Sequence, residues 1–368
     1  MRRDLEKKIW IFTLLIIAMG LLSLYSASFQ NVRVSQKVFY DQLLCVSIGL
    51  LIMYLLGKID YRKFYDGAYG FYIVNVLLLM FVLLSGRNAL GAKRWLEIAG
   101  LSFQPSEFAK LSLILMLGRY LSNRRPTLSF DLMSKTQIVI KSLIIPFCLT
   151  AVLMFLIFKQ PDLGTSILLF GIFLTMIFVS GLEYRYITGF LIICLALMPI
   201  AWKFLKSYQK DRLLVFLNPN IDPLGAGYTI IQSKIAVGSG QILGKGWLSG
   251  TQNQLNFLPE RHTDFIFSVI GEEWGLIGTL FLVFCYFMLV QYCFYIADQV
   301  KDKFGTYVTT GIAAILSLQV IINIGMVLGL FPVVGITLPF ISYGRSSLLI
   351  FLVMMGFLLN LSKRRTIF

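Results

Sequence analysis

Residues 274–297 read WGLIGTLFLVFCYFMLVQYCFYIA, a run of 24 residues without a charged side chain. About 20 mostly apolar residues are enough for an α-helix to cross the hydrocarbon core of a bilayer. Similar runs recur along the chain, which is 57% hydrophobic and only 14% charged. This composition excludes an ordinary soluble domain, and transmembrane β-barrels lack runs of this length. The sequence therefore predicts an all-α membrane protein that crosses the bilayer many times.

The apolar runs predict a bundle of ten transmembrane helices. Their expected positions are 10–28, 38–57, 64–85, 105–122, 142–158, 165–182, 186–205, 264–297, 306–331 and 341–361. Since no linker or soluble domain interrupts them, residues 1–368 are predicted to form a single membrane domain. The eighth segment, 264–297, is either one long tilted helix or a span with an interfacial extension, and the stretch from Gly271 to Gly278 leaves room for a kink. The first run is about twice the usual length of a signal-peptide core, which favours a retained helix.

The basic residues predict the orientation of the bundle. An even number of helices puts both termini on one side, and both ends are basic, MRRDLEKK at 1–8 and SKRRTIF at 362–368. Because Lys and Arg concentrate in cytoplasmic segments, both termini are expected in the cytoplasm. The long segments 86–104 and 203–263 then lie outside, with 203–263 forming an extracytoplasmic loop between helices 7 and 8.

The loop 203–263 contains an amphipathic pattern at 222–240, DPLGAGYTIIQSKIAVGSG. Tyr228, Ile231, Ile235 and Ala236 recur at helical spacing, opposite a polar side with Gln232 and Lys234. This pattern predicts a helix that lies on the membrane surface.

The net charge of +15 does not indicate a nucleic-acid partner, because the basic residues are spread among the membrane loops. Anionic lipid headgroups explain them better. The five cysteines are odd in number and all fall in predicted helices. They indicate neither a disulfide framework nor a zinc site.

Ionisable side chains at membrane depth are costly and usually face other helices, water or a substrate. Glu107 and Lys110 are three residues apart in the fourth helix, so they are expected to pair on one face; Lys110 can also lend its charge to a site. Asp162 is expected to cap the sixth helix, unless a neighbouring cation gives it another role. Glu272 and Glu273 are expected to pack inside the bundle.

The stretch LPERHTDFIF, residues 258–267, places Glu260, Arg261, His262, Thr263 and Asp264 immediately before the eighth helix. Thr263 or Asp264 is predicted to cap that helix. One short polar residue is enough for a cap, and here there are five polar residues. A carboxylate beside an arginine and the only histidine, at the mouth of a bundle, is also typical of a positioned general base.

Five long motifs resemble the SEDS family, the shape, elongation, division and sporulation proteins. They are GAKRWLEIAGLSFQPSEFAK at 91–110, KQPDLGTS at 159–166, YQKDRLLVFLNPNIDPLGAGYTIIQSKIAVGSG at 208–240, KGWLSGTQNQLNFLPERHTDFIFSVIGEEWG at 245–275, and GITLPFISYG at 335–344. They cover nearly the whole chain in the family's order. Arg261 and the GTQNQLNF segment resemble the elongation branch of the family.

The resemblance implies a peptidoglycan glycosyltransferase of the bacterial cytoplasmic membrane. Such an enzyme polymerises lipid II into β-1,4-linked glycan strands during cell elongation and releases undecaprenyl pyrophosphate. The family's essential aspartate falls on Asp264, its paired Glu and Lys on Glu107 and Lys110, its inter-helix aspartate on Asp162, and its loop arginine on Arg94. The full set of expected substrate-binding or supporting residues is Arg94, Glu107, Lys110, Asp162, Arg212, Gln232, Lys234, Glu260, Arg261, His262, Thr263 and Ser342.

An inverting transfer requires a base for the attacking sugar hydroxyl, and Asp264 is the expected catalytic residue. The departing pyrophosphate is already a weak base, so it needs charge stabilisation rather than an acid. Arg94, Lys110, Arg212 and Lys234 are expected to supply this charge. No motif demands a cofactor, although Mg²⁺ or Mn²⁺ could share the role.

One residue departs from the family pattern. SYGRSS at 342–347 carries Arg345 where the family typically has glycine. A long cation has replaced a small, flexible residue, so Arg345 either points away from the cavity or changes how the pyrophosphate is held.

By resemblance, the expected partners are a class B penicillin-binding protein that crosslinks the strands and other membrane proteins of the elongation complex, besides lipid II and the nascent glycan. A lipid II flippase is the alternative, and it predicts charges distributed through the bundle. A catalytically silent scaffold is a third hypothesis, under which Asp264 is only a cap.

Overall fold

A computed structural model describes residues 2–29, 32–89, 92–98, 101–123, 135–223 and 225–363 of the chain. The helices are α1 (Arg2–Ser28), α2 (Val32–Leu56), α3 (Arg62–Ser85), α4 (Pro105–Ser122), α5 (Lys135–Val139), α6 (Ile145–Lys159), α7 (Leu163–Val179), α8 (Tyr184–Phe204), α9 (Ser207–Leu217), α10 (Ala226–Ser239), α11 (Thr251–Gln254), α12 (Ile266–Gln299), α13 (Lys303–Val327) and α14 (Arg345–Lys363). A π-helical turn, Ile140–Ile144, joins α5 to α6. The strands are β1 (Arg87–Ala89), β2 (Ala92–Ile98) and β3 (Leu101–Phe103).

The described residues contain seven helices that are long and apolar enough to cross a membrane. These are α1, α2, α3, the joined α5–α6 helix, α12, α13 and α14. Two further apolar helices, Leu163–Val179 and Tyr184–Ile200, are shorter. Helix α4 carries Glu107, Lys110 and Arg119 within its 18 residues. The protein is therefore a helical, multi-pass membrane protein, as predicted.

Helices α4, α13 and α14 form the centre of the bundle. Nearly every residue of α14 is buried, and α4 packs against α3, α7, α13 and α14. By contrast, α8 exposes apolar side chains such as Ile192 and Met198, as expected for a surface that faces lipid. Glu107 and Lys110 of α4 thus lie in the protein interior, where they require partners.

The ends of the last two predicted helices were wrong. Helix α13 ends at Val327 and α14 begins at Arg345. Residues 328–331 and 341–344, which were predicted as helix, therefore belong to a loop over 328–344. Gly329 and Gly335 adopt positive φ angles of 70° and 71°, a conformation that glycine alone adopts readily. This loop passes over the centre of the bundle and contributes to the cavity described below.

Helix α12 is kinked at Gly275, where φ is 64° and ψ is −160°, so the kink predicted between Gly271 and Gly278 is confirmed. The backbone around the kink bonds to the loop that follows α10. Leu276 N donates to Gln241 O at 2.9 Å, and Lys245 N donates to Glu272 O at 3.0 Å. A Cβ atom on Gly275 would lie 2.3 Å from Gly244 N, so only glycine permits this close approach.

The sequence did not indicate the small sheet between α3 and α4. Strands β1, β2 and β3 pair antiparallel in that order; the register of β2 and β3 places Leu96 opposite Phe103 and Glu97 opposite Ser102. The sheet belongs to the segment 86–104 that the sequence identified as too long and polar for a turn. It presents Arg94 and Ser102 to the bundle.

Helix α10 confirms the helix predicted at 222–240, but its buried face differs from the predicted one. Ile230, Ser233 and Ala236 are buried, whereas Ile235 is 45% exposed. Ser233 Oγ donates to Val327 O at 2.9 Å. The helix therefore packs on α12 and α13. Its buried face is the one that contacts these helices, and not one that lies on a flat membrane surface.

Candidate active site

A cavity of about 690 Å³ opens where the sheet, α4, α7, α9, α13 and α14 converge. The loop before α12 and the loop 328–344 complete its wall. Of the thirteen predicted site residues, nine line it: Arg94, Glu107, Lys110, Asp162, Arg212, Glu260, His262, Thr263 and Asp264. Residues from widely separated parts of the sequence thus meet at one polar cavity.

Asp264 does not cap α12. The N-cap of that helix is Phe265, without a side-chain hydrogen bond, so the predicted cap by Thr263 or Asp264 was wrong. The backbone carbonyl of Asp264 instead accepts a hydrogen bond from Asn323 Nδ2 at 2.9 Å. Among the described residues, no hydrogen bond or ion pair involves the Asp264 carboxylate, which therefore remains free at the cavity surface.

Hydrogen bonds to its own backbone carbonyls hold the loop before α12 in place. Ser342 Oγ donates to Thr263 O at 2.6 Å, and Tyr343 N donates to His262 O at 2.8 Å. Together with the bond from Asn323, three consecutive carbonyls are bound by α13 and the loop 328–344. This arrangement fixes the backbone of Asp264 while leaving its side chain available.

The electrostatic surroundings raise the pKa of Asp264 from 3.8 to about 6. Burial of the carboxyl group is the largest cause, and the Glu260 carboxylate adds to it, while the Arg212 and Arg94 cations partly offset both. Burial also lowers the pKa of His262 below its ordinary value, so the imidazole is mainly neutral at neutral pH. Asp264 is thus a stronger base than an ordinary aspartate, with two arginines nearby.

The predicted pairing of Glu107 and Lys110 is confirmed. Lys110 Nζ lies 2.7 Å from Glu107 Oε1, and the lysine side chain is 1% exposed. Lys110 Nζ also donates to Gln319 Oε1 at 3.0 Å, and Gln319 Nε2 donates to Thr337 O at 2.9 Å. Because a buried charge needs both an opposite charge and hydrogen bonds, this network explains how α4 holds an ammonium group in the bundle.

The predicted cap by Asp162 is confirmed as well. Asp162 Oδ1 accepts from Thr165 N at 3.1 Å, as the N-cap of α7. Arg94 lies beside the same turn, where its Nε donates to Gln160 O at 2.9 Å and its Nη2 donates to Pro161 O. Arg94 therefore links β2 to the α6–α7 turn, and neutral carbonyls leave its charge uncompensated.

Arg212 approaches the cavity from α9. Its Nη1 donates to Val333 O at 3.2 Å, again a neutral carbonyl. Arg94 and Arg212 consequently place two positive charges close enough to Asp264 to offset part of the rise in its pKa. A base and two cations in one cavity match the needs of a transfer that removes a proton and expels an anion.

A model of the cell cycle protein family that comprises FtsW, RodA and SpoVE matches residues 6–367 of the chain. The peptidoglycan glycosyltransferase MrdB of Escherichia coli K12 is 40% identical over 364 residues, which cover 98% of this chain and 94% of that protein. The chain belongs to the FtsW/RodA/SpoVE family. Within it, the peptidoglycan glycosyltransferase RodA of Treponema pallidum is 28% identical over 437 residues and covers 98% of both proteins.

Solved structures of this family share the fold. A chain of a peptidoglycan synthase complex that coordinates polymerization and crosslinking has a TM-score of 0.80 at 33% identity, over 97% of both chains. The rod shape determining protein RodA of Thermus thermophilus has a TM-score of 0.70 at 29% identity, over 97% of this chain and 96% of that one. The resemblance to the SEDS proteins, and to RodA among them, is thereby confirmed.

Four of the predicted site residues do not line the cavity. Arg261 Nε donates to Ala27 O at 2.7 Å and ties the loop to α1. The Ser342 hydroxyl is already used, accepting from Leu338 N and donating to Thr263 O. Gln232 and Lys234 lie on α10, which packs beside α12 and α13; Lys234 is exposed and covers Gly329.

Glu272 and Glu273 also lie outside the cavity, in agreement with the predicted packing role. Glu272 is fully buried and accepts from Lys245 Nζ at 2.8 Å, Thr251 Oγ1 at 3.0 Å and Gln252 N at 3.1 Å. Glu273 accepts from Ser26 Oγ. Glu272 thus attaches the segment 245–252 to the kinked helix, and Glu273 attaches that helix to α1.

The main cavity residue outside the predicted set is Arg345. Its side chain lines the cavity, so it does not point away. Arg345 Nη2 donates to Ser102 Oγ at 3.0 Å, and Nη1 lies 3.9 Å from Asp41 Oδ2. Gln319 and Thr337 were also missed; their polarity was visible in the sequence, but only the fold brings them to Lys110.

The described residues contain no group of three or more His, Cys, Asp or Glu side chains suited to hold a metal ion. Two of the cavity carboxylates are engaged by the protein itself, Glu107 by Lys110 and Asp162 by the start of α7. The protein side chains of this part of the chain therefore do not fit a dedicated metal centre.

Proposed function

We propose that this cavity polymerises lipid II and that Asp264 is the general base of the transfer. The chain is a peptidoglycan glycosyltransferase, the activity that its relatives MrdB and RodA carry in their names. The observation that carries the proposal is the free Asp264 carboxylate, with its pKa raised to about 6, in a cavity that also contains Arg94 and Arg212.

The reaction joins an α-linked sugar diphosphate to a sugar hydroxyl with inversion at the anomeric carbon. The oxygen of the acceptor hydroxyl forms the new bond, and its proton passes to the Asp264 carboxylate. The bond between the anomeric carbon and the diphosphate oxygen breaks at the same time, and the electron pair leaves with undecaprenyl diphosphate. Only one protein carboxylate is needed, because the leaving group is a weak base that needs no proton.

A pKa near 6 suits this task. General bases work best when their pKa lies close to the ambient pH while most of the population remains deprotonated. At pH 7.5 an Asp264 with a pKa of about 6 is mostly ionised, and its affinity for a proton exceeds that of an ordinary aspartate. Burial thus supplies both the basicity and the low dielectric in which nearby charges act strongly.

The cations stabilise the diphosphate as negative charge develops on it. Arg94 and Arg212 are held by neutral carbonyls, so their charges remain available. Lys110 is already paired with Glu107 and orders the deeper wall. Mg²⁺ or Mn²⁺, if it takes part, would come with the diphosphate of the substrate, since the described side chains do not form a site for it.

We also propose the topology in which this reaction works. Helices α4, α7 and α8, added to the seven long apolar helices, give ten membrane crossings in one domain over 1–368. Both termini are cytoplasmic, and the cavity and the loop 203–263 face outwards. The prenyl tails of both reactants then remain in the bilayer while their sugar heads meet at the cavity.

The proposed partner is a class B penicillin-binding protein of the elongation complex, with which other elongation-complex membrane proteins assemble. Its support is the similarity to a chain of a synthase complex that coordinates polymerization and crosslinking. A transpeptidase beside the cavity would receive each strand as it leaves. The exposed apolar residues of α12, such as Leu280 and Phe284, offer a surface for a single helix in the membrane.

The test is glycan synthesis from labelled lipid II by the purified protein with this partner. Asp264→Asn and Asp264→Ala should form no polymer, while Glu183→Gln, which changes a carboxylate in an exposed ion pair outside the cavity, should match the parent. Polymer from the folded Asp264 variants would refute the base. Transport of lipid II across vesicles without polymer would support the flippase instead.

A further inference from the structure

The proposed transfer involves two lipid diphosphates, and this inference rests on that proposal. One diphosphate leaves the donor sugar and must be close to the reacting carbon. The other stays on the acceptor lipid, at the far end of the acceptor disaccharide from the attacking hydroxyl. A cavity that binds both needs two groups of cations separated along its wall, because one group cannot neutralise both anions at the required spacing.

Arg94 and Arg212 belong to the group near the reacting carbon. Both cations offset part of the rise in the pKa of Asp264, and they are anchored by carbonyls of the α6–α7 turn and of Val333. Arg345 instead acts on Tyr343, whose pKa it lowers against the larger effect of burial. Its guanidinium reaches towards β3 and α2 through Ser102 and Asp41. Arg345 therefore represents a second positive region of the same cavity.

The Arg345 guanidinium has spare capacity for an anion. Of its five N–H donors, one bonds Ser102 at 3.0 Å. The nearest carboxylate, on Asp41, is 3.9 Å away, and that carboxylate is shared with the Tyr343 hydroxyl at 3.5 Å. Ion pairs at such distances between partly exposed groups contribute little, and an arginine can exchange one for two parallel hydrogen bonds to a phosphate.

The surroundings hold the guanidinium in place while leaving it accessible. The side chain is 24% exposed and faces the cavity. Ser102 lies in β3 and Asp41 in α2, so both anchors belong to regular elements. Arg345 is thus positioned before substrate binds, and preorganised donors bind an anion with less loss of side-chain freedom.

We infer that Arg345 binds the diphosphate that remains on the acceptor lipid, at an anchoring site distinct from that of the departing diphosphate. Arg345 contributes to the position of the acceptor and not to bond breaking. It therefore acts on the Michaelis constant for the acceptor more than on turnover. A glycine at this position would lack the anchor, so acceptor affinity is a property in which this chain differs from relatives with glycine here.

The experiment separates donor from acceptor. The donor is lipid II whose terminal 4-hydroxyl is capped with a further sugar, so that it cannot act as acceptor, and the acceptor is labelled lipid II at varied concentration. Arg345→Gln should raise the acceptor KM about 10- to 100-fold, the usual effect of losing a charged hydrogen bond. The KM for the capped donor and kcat should change less than about twofold, and Arg345→Lys should recover part of the loss.

A neutral acceptor and an Asp41 variant provide two further tests. With an acceptor disaccharide on a neutral linker in place of the diphosphate, parent and Arg345→Gln should have the same KM. Asp41→Asn, which removes the competing carboxylate, should lower the KM for acceptor lipid II. Equal effects of Arg345→Gln on donor and acceptor, or an effect that persists with the neutral acceptor, would overturn the inference while leaving the polymerase proposal intact. If the parent forms no product at all, the proposed function fails first.

Discussion

Asp264→Asn should make the folded protein more stable while removing its activity. The raised pKa means that the folded state disfavours the charged carboxylate relative to the unfolded chain. A shift from 3.8 to about 6 is about 2 pKa units, which correspond to about 3 kcal/mol at neutral pH. Asparagine has nearly the same shape and no charge, so the variant avoids this penalty.

The pH dependence gives the sign of the effect. Below about pH 3.8 the carboxyl is protonated in both states, and parent and variant should be equally stable. As the pH rises towards 6, the unfolded chain ionises first and the parent loses stability relative to the variant; above about pH 6 the difference reaches its full value. With an unfolding entropy of about 2.1 cal/mol/K per residue, 3 kcal/mol corresponds to roughly 4 °C in Tm for a chain of this length.

The assay is thermal unfolding in detergent at a series of pH values between 4 and 8. Glu107→Gln provides a matched control, because it also neutralises a carboxylate of the cavity but breaks a buried ion pair. That control should destabilise the protein, since the Lys110 charge then lacks its partner. If Asp264→Asn lowers Tm at pH 8, or if its effect does not change with pH, the assignment of Asp264 as a partly buried, unpaired base is incorrect.

Three other expectations concern the same machinery. Initial rates of glycan synthesis should fall about tenfold per pH unit below about pH 6, as Asp264 takes up a proton, and a rate that stays constant to pH 5 would contradict the base. Lys110→Met should lower the free energy of unfolding by about 3–5 kcal/mol in denaturation measurements, because Glu107 is left as an unpaired buried charge; Lys110→Met combined with Glu107→Leu should recover part of it. Gly275→Ala should lower Tm, since its φ of 64° and the 2.3 Å approach to Gly244 N exclude a Cβ; Gly189→Ala, where a Cβ meets open space, is the control.

The sequence predicted the helices well because the bilayer imposes their length. Each predicted span overlaps a helix, and the runs of apolar residues decide this without tertiary information. Where glycine and proline interrupt a run, the prediction extended the helix too far, as between Val327 and Arg345. The strands between α3 and α4 are too short and too mixed in polarity for a periodic pattern to identify them.

Local capping rules were reliable only where no distant residue competed. Asp162 caps α7 as predicted, because its partner Thr165 is three residues away. Thr263 and Asp264 do not cap α12, since Asn323 and Ser342 bind their carbonyls and set the backbone in another direction. Neither competitor was visible from the local sequence. The family resemblance pointed to Asp264, but its geometry depends on residues some 60 to 80 positions further along the chain.

The same competition bears on how the Asp264 carboxylate stays apart from the two arginines near it. If the carboxylate were mobile, it could turn towards Arg212 or Arg94 and form an ion pair, and its pKa would fall instead of rising. Hydrogen bonds to three successive carbonyls, of His262, Thr263 and Asp264, hold the backbone, so the two arginines remain near the carboxylate without bonding to it. The fixed separation keeps the base available for a hydroxyl and the cations available for a diphosphate. The fixed backbone of the loop is therefore the physical reason that the Asp264 carboxylate and the two arginines bind the substrate and do not form an ion pair with each other.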